Sequence, residues 1–266
     1  DIVFGDWSSD VCSSDLDLKQ IRLWGERVAV LDAQGQLFVR DGRFTGDSLE
    51  DLSTWPKLAE HLLDFQITDN RIAILDQNRQ LLVQENPLSG DWLPIAANVR
   101  AFSLADTRLG YLTEQGDLYV QAGPLKSDWQ LIKNRVLALQ LVDNRISYLD
   151  EQRQLFVNEG DLAAEFQLMA QDVQSFQLTN VRIGMLDATG KFSVKSGNLR
   201  AEWVSQADGV QAFQLVGSRV LSKSAAGKFS FKTGNLYQSW SDLTYIPSAS
   251  VFLNGEMPTY IRHYRQ

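Results

Sequence analysis

The chain has 266 residues, 44% hydrophobic and 22% charged, a composition typical of a globular protein with a sizeable core. Its 33 acidic residues outnumber the 25 lysines and arginines, and a net charge of −8 disfavours nucleic acid as a partner because phosphates would be repelled. No apolar run approaches the ~20 residues that cross a bilayer, so no membrane span is expected. With only two histidines, His61 and His263, we expect neither a metal site nor a cofactor.

The first residues do not resemble natural protein sequence. Residues 6–16 match the translation of a short-read sequencing adapter. We therefore expect residues 1–16 to be an adapter-derived, disordered scar, and we leave them out of the fold argument. The single cysteine, Cys12, lies in this segment, so neither a disulfide nor a thiol nucleophile is expected in the remainder. A truncation here would also have removed any targeting signal or upstream domain.

A repeat of 37 residues organises the rest of the chain. Each copy has an aromatic or aliphatic residue near its start, an arginine six positions later and a tryptophan or phenylalanine near its end. The first position holds Phe65, Phe102, Leu139, Phe176 and Phe213. The arginines are Arg71, Arg108, Arg145, Arg182 and Arg219, and the aromatic residues at the end are Trp92, Trp129, Phe166, Trp203 and Trp240. An earlier copy, with Arg27 and Trp55, contains seven extra residues near 43–53. A fixed period of this length indicates a repeat architecture.

Each copy contains four short segments with the composition of β-strands. In the copy from Leu63 to Val99 these segments are rich in aliphatic and aromatic residues and are separated by Asp/Asn turns. The Asp-x-x-Gly sequence between the second and third segments favours a hairpin with a positive φ at the glycine. Arg79 and Arg153 replace that glycine in two copies, so we expect a different turn there.

A small residue recurs in the middle of the second strand and indicates close packing against a neighbour. These residues are Ala29, Ala73, Gly110, Ser147 and Gly184, and only Leu221 breaks the pattern. The tryptophan or phenylalanine at the end of each copy is an available partner. Four-stranded sheets repeated radially predict an all-β, six-bladed β-propeller. Two β-trefoils, or a seven-bladed propeller truncated at the N-terminus, are the alternatives.

This architecture predicts a single propeller domain over residues 17–266, present as a monomer. The expected blades lie near 18–60, 61–98, 99–135, 136–172, 173–209 and 210–246, followed by a closing tail at 247–266.

One copy carries a resemblance to a known family. Its segments Val173 to Leu178, Arg182 to Asp187 and Gly190 to Val194, followed by Gly197 and Trp203, resemble the tectonin-type propeller repeat of lectin-like proteins. The resemblance implies a non-catalytic, multivalent module that binds carbohydrate or another extracellular surface ligand, and a secreted or cell-surface location. The alternatives are a protein–protein scaffold and an accessory domain of a larger secreted enzyme.

No catalytic motif is present, and we do not expect an enzyme. Weak candidates for ligand binding are Arg71, Arg108, Arg145, Arg182, Trp92, Trp129 and Trp203. Guanidinium groups could hold acidic sugars, and tryptophans could stack on sugar rings. Structural roles are favoured, because strict periodicity is what folding constraints produce. Each arginine would then pair within its blade with the Asp five residues on, or would donate to loop carbonyls.

Overall fold

The computed structural model describes residues 18–24, 26–42, 52–86 and 90–242. The expected scar at residues 1–16 and the expected closing tail at residues 247–266 lie outside the described residues, as does most of the insertion in the first copy.

The described chain forms six separate antiparallel sheets of four strands, each with its strands in chain order. We call the four strands of each blade a, b, c and d. Blade 1 contains β1 (Leu18–Trp24), β2 (Arg27–Asp32), β3 (Leu37–Asp41) and β4 (Lys57–Ala59), with a 3-10 turn at Leu52–Thr54. Blade 2 contains β5 (Leu62–Ile67), β6 (Arg71–Asp76), β7 (Leu81–Glu85) and β8 (Leu93–Ala96). Blade 3 contains β9 (Val99–Ala105), β10 (Arg108–Thr113), β11 (Leu118–Ala122) and β12 (Gln130–Lys133).

The remaining three blades repeat this arrangement. Blade 4 contains β13 (Val136–Val142), β14 (Arg145–Asp150), β15 (Leu155–Glu159) and β16 (Gln167–Ala170). Blade 5 contains β17 (Val173–Leu178), β18 (Arg182–Asp187), β19 (Phe192–Ser196) and β20 (Val204–Ala207). Blade 6 contains β21 (Val210–Val216), β22 (Arg219–Ser224), β23 (Phe229–Thr233) and β24 (Ser241–Asp242). These blades confirm the predicted propeller and exclude two β-trefoils.

The core lies between the blades, where strand a of one blade packs on strands b and c of the preceding blade. The small residue of strand b accepts the large residue of the next strand a. A Cβ atom added at Gly184 would lie 2.7 Å from Cε2 of Phe213, and one at Gly110 would lie 3.1 Å from Cδ1 of Leu139. The predicted partner, the tryptophan at the end of each copy, was therefore wrong, because strand a is the element that faces strand b across the interface.

The turn between strands b and c has the same backbone conformation in every copy, although the residue at its positive-φ position varies between glycine and arginine. Gly35 and Gly190 have φ of 80° and 85°, and Arg79 and Arg153 adopt φ of 60° and 57° at the same position. The expectation of a different turn at the arginines was wrong. The surrounding hairpin imposes the positive φ even on a residue with a Cβ atom, at a cost of about 1–2 kcal/mol.

The aspartate that opens this turn stabilises it by accepting backbone hydrogen bonds. Oδ1 of Asp187 accepts from the N–H groups of Thr189 and Lys191, both at 2.9 Å. Burial opposes ionisation of the Asp187 carboxyl, but the hydrogen bonds from Thr189 and Lys191 outweigh that effect and lower its pKa from 3.8.

We expect Asp187→Ala to destabilise the fold by about 1 kcal/mol at neutral pH. A carboxyl with a lowered pKa stabilises the fold above its unfolded pKa, and this contribution is lost as pH falls through the folded pKa. The difference between the urea midpoints of parent and variant should therefore shrink between neutral pH and about pH 3. Asp208→Ala, at an exposed turn position, is the control and should be neutral at both pH values. A difference in urea midpoint that does not depend on pH would contradict the role of the ionised Asp187 carboxylate in stabilising the turn.

Candidate functional site

The arginine ladder, defined as Arg27, Arg71, Arg108, Arg145, Arg182 and Arg219, is the most regular polar feature of the ring. Each residue begins strand b of its blade. The first five are only 3% to 8% exposed. The guanidinium groups are therefore placed inside the ring and not on its surface.

Each guanidinium for which the contact is described reaches into the following blade. Nη2 of Arg71 donates to the carbonyl of Gly123 at 2.8 Å, and Nη2 of Arg145 donates to that of Gly197 at 2.7 Å, each 52 residues along the chain. Nη2 of Arg108 and Arg182 reach the carbonyls of Gly160 and Gly234 in the same way. The ladder thus joins each of blades 1 to 5 to the loop between strands c and d of the next blade.

The carboxylate partners of the ladder lie on strand c. Arg27 pairs with Asp41 at 2.6 Å, Arg71 with Glu85 at 3.0 Å and Arg145 with Glu159 at 3.4 Å. Each of these carboxylates is the direct cross-strand neighbour of its arginine. The predicted pairing with the Asp five residues on was wrong, because five residues of extended strand span about 16 Å and place that Asp at the other end of the blade.

Burial also affects the ionisation of the ladder. Desolvation by burial lowers the pKa of Arg108 and of Arg182, and carbonyl acceptors in the next blade offset the cost of burying each guanidinium. A guanidinium enclosed in this way presents no free fork to a carboxylate-bearing sugar.

The three predicted tryptophans are half-buried and lie between blades. Nε1 of Trp203 donates to the carbonyl of Met169, on strand d of the preceding blade, at 3.0 Å. The ammonium of Lys195 lies 5.0 Å from the centre of the Trp203 ring. Trp129 packs edge-on against Tyr111 at 5.0 Å, and Trp92 packs against the core between blades 1 and 2. Contacts within the protein therefore occupy much of each indole.

Sequence reasoning missed a second buried ladder, on strand c. Its members are Gln84, Gln121, Asn158, Lys195 and Lys232, all buried. Each donates to a carbonyl of its own loop between strands c and d, as Nζ of Lys195 does to Leu199 at 2.9 Å. Burial lowers the pKa of Lys195 and of Lys232. The available signal was a polar residue that recurs every 37 residues directly after three mostly apolar residues, as Gln84 follows Leu81 to Val83.

The two faces of the ring differ in charge. We call the face with the a–b turns and c–d loops the loop face; these segments are joined by hydrogen bonds such as Gly160 N–H to Asn144 carbonyl at 3.0 Å. The carboxylates in its described loops are Glu26, Asp69, Asp91, Asp106, Asp128, Asp143, Asp161, Glu165 and Glu202. Among the same residues, the cations are Lys126 and Arg200.

The opposite face, which we call the turn face, carries mixed charge. Arg79 lies 4.0 Å from Glu114, and Arg135 lies 3.7 Å from Glu151. Within the described ranges no helix has the length and hydropathy that crossing a bilayer requires, and no three His, Cys, Asp or Glu side chains there converge as metal ligands would.

Comparison with known proteins supports the fold alone. No family model matches the chain, and no curated protein matches it. Among solved structures, it is similar to Prp20p from Saccharomyces cerevisiae (TM-score 0.60, 12% identity, 81% of this chain and 72% of that chain covered). It is also similar to Hsv2 from Kluyveromyces lactis (TM-score 0.58, 9% identity, 84% and 74% covered) and to YCF48 bound to a D1 peptide (TM-score 0.56, 14% identity, 87% and 83% covered). These neighbours agree with a β-propeller at identities too low to indicate a shared function.

Proposed function

We propose that the protein is a non-catalytic scaffold that binds a protein partner through its loop face. The observation that carries this proposal is that the periodic arginines and tryptophans are used to hold the blades together. What remains to contact a partner is the set of exposed loops, whose sequences differ from blade to blade. A rigid ring that presents variable loops is a common arrangement for recognition.

Solved propellers with related architecture support this reading. The structure of Prp20p was described together with its binding to Gsp1p and histones, and the same protein was solved with Kap60. YCF48 was solved with a peptide of D1. We transfer from these proteins only the class of ligand, a protein.

The charge of the loop face indicates the kind of partner. Exposed carboxylates are concentrated on blades 2 to 4, and Asp143, Asp161 and Glu165 lie together on blade 4. A surface of this sign attracts Lys- and Arg-rich protein segments and steers their association. We therefore expect a basic partner, with affinity that falls as salt rises.

A charge-reversal pair tests this proposal. The loop-face variant is Asp143→Lys/Asp161→Lys/Glu165→Lys, and the turn-face control, Glu151→Lys/Asp172→Lys/Asp208→Lys, changes net charge equally. With a Lys/Arg-rich peptide as probe, fluorescence anisotropy should show about a tenfold or larger loss for the loop-face variant and under about twofold for the control. Equal losses would indicate attraction to net charge alone and would contradict a loop-face site.

Carbohydrate recognition, which the tectonin-type resemblance implies, stays a prediction. The same two variants and the parent protein can be applied to a glycan array. Binding of the parent to neutral glycans, unchanged in both variants, would favour the carbohydrate reading over the protein scaffold.

A further inference from the structure

One face of blade 6 is more exposed than the equivalent face of an inner blade. In blade 2, the strand b and c residues that meet the next blade are Ala73, Leu75, Leu81 and Val83, each at most 3% exposed. The equivalent residues of blade 6 are Leu221, Lys223, Phe229 and Phe231, and all four are half-buried. We call these four residues the open face. It has the position and much of the apolar character of a surface that normally receives a strand a.

Blade 6 also has a side-chain amide, that of Gln214, at the position from which other blades bind the backbone of the next strand a. At three inner interfaces, those of blades 2–3, 4–5 and 5–6, a glutamine of strand a binds the backbone of the next strand a through both ends of its amide. Between blades 3 and 4 the hydroxyl of Ser103 accepts from the N–H of Leu141 instead. Gln177 donates to the carbonyl of Leu215 at 3.0 Å and accepts from its N–H at 2.7 Å, and Gln140 contacts Leu178 in the same way. Gln214 is the equivalent residue of blade 6, and its amide has no hydrogen-bond partner among the described residues.

The segment that follows strand d of blade 6 has the sequence position of a further strand a. In the preceding blades two residues separate strand d from the next strand a, as between Ala207 and Val210. Strand d of blade 6 is described to Asp242, and the 37-residue period places the start of a further strand a at residue 247. The period of 37 aligns Ser250 with Phe213 and Phe252 with Leu215. We propose that residues 247–253 dock on the open face as a strand a, with the Gln214 amide bonded to the backbone of Phe252.

Side-chain size supports this register. The inner interfaces pair a small residue on strand b with a large one on strand a, as Gly184 does with Phe213. Blade 6 has Leu221 in place of the small residue, and the tail has Ser250 in place of the large one. The exchange keeps the combined volume close to that of the other interfaces, which is the kind of change that packed cores tolerate best.

Blade 1 is not the occupant in this structure. Its strand a exposes Ile21 by 46% and Leu23 by 67%, whereas the equivalent Phe65 and Ile67 of blade 2 are at most 5% exposed. The open face is partly polar because it includes Lys223. A single docked strand covers less area than a whole blade and would leave the Lys223 ammonium in contact with water.

Hydrogen exchange on the full chain tests the docking, with strands β13 to β16 as the internal measure of folding. We expect the amides of residues 250–253 to exchange at least about 100-fold more slowly than an unstructured peptide. Gln214→Ala should reduce that protection about tenfold. Gln211→Ala, an exposed glutamine on the same strand, is the matched control and should leave it unchanged.

A double-mutant cycle tests the register. Ser250→Phe alone should abolish protection of the tail, because the ring would collide with Leu221. Adding Leu221→Gly should restore most of it by recreating the Gly184–Phe213 pair. An unprotected tail in the parent, equal effects of the two glutamine variants, or no rescue in the double variant would overturn the proposal. Protection that depends on protein concentration would assign the open face to a second copy and would also overturn it.

Discussion

Arg145→Ala is expected to destabilise the ring by about 2–3 kcal/mol, the typical cost of removing a buried, charged hydrogen-bond donor. The side chain is 3% exposed and joins blade 4 to blade 5 through the Gly197 carbonyl. Its loss leaves that carbonyl without its donor and leaves Glu159 without its cross-strand partner. A loss above about 3 kcal/mol is not expected, because Nε and Nη1 of Arg145 are buried without a hydrogen-bond partner among the described atoms. Urea unfolding measures the difference.

The control for this variant is Arg200→Ala, which removes an exposed arginine from a loop of blade 5 and should change stability by less than about 0.5 kcal/mol. Arg145→Lys should recover only part of the loss, since an ammonium is a point charge and cannot reproduce the planar fork. A folded Arg145→Ala protein of unchanged stability that no longer binds its partner would contradict the structural role and would identify the ladder as a binding site.

Gly184→Val should destabilise the interface between blades 5 and 6 by about 3 kcal/mol. Already the first carbon of the new side chain would lie 2.7 Å from the Phe213 ring, and Phe213 is stacked on Phe192 with ring centres 4.4 Å apart. The ring therefore has little room to withdraw. Thermal or urea unfolding should show the loss as a shift of the midpoint.

Shortening the opposing side chain should rescue this variant. A Cβ atom added at Gly110 would lie 3.1 Å from Leu139, compared with 2.7 Å between Gly184 and Phe213, so a leucine leaves more room. Gly184→Val/Phe213→Leu should therefore regain about half of the lost free energy. Ser205→Val, on the exposed outer strand of the same blade, is the control and should be nearly neutral. Losses that add independently in the double variant would show that the two residues are not in contact.

Much of the architecture follows from local chemistry repeated along the chain. The period of 37, the short β-prone segments and the Asp-x-x-Gly hairpins predict the propeller, because each copy is one four-stranded sheet with apolar residues on both faces. The small residue of strand b at Ala73, Gly110 and Gly184 likewise reveals from sequence alone that a neighbour packs closely there.

The partners of these residues were decided by tertiary structure. A period shows that Arg71 and Arg145 have equivalent environments, but it does not show whether their contacts lie in the same blade, and the carbonyls they reach are 52 residues away in the next one. For the same reason the sequence pattern favours a tryptophan as the neighbour of Gly184, whereas the assembled blades place Phe213 there. Strand pairing within a blade is local and periodic, whereas packing between blades depends on the angle at which two sheets meet, and that angle exists only in the assembled ring.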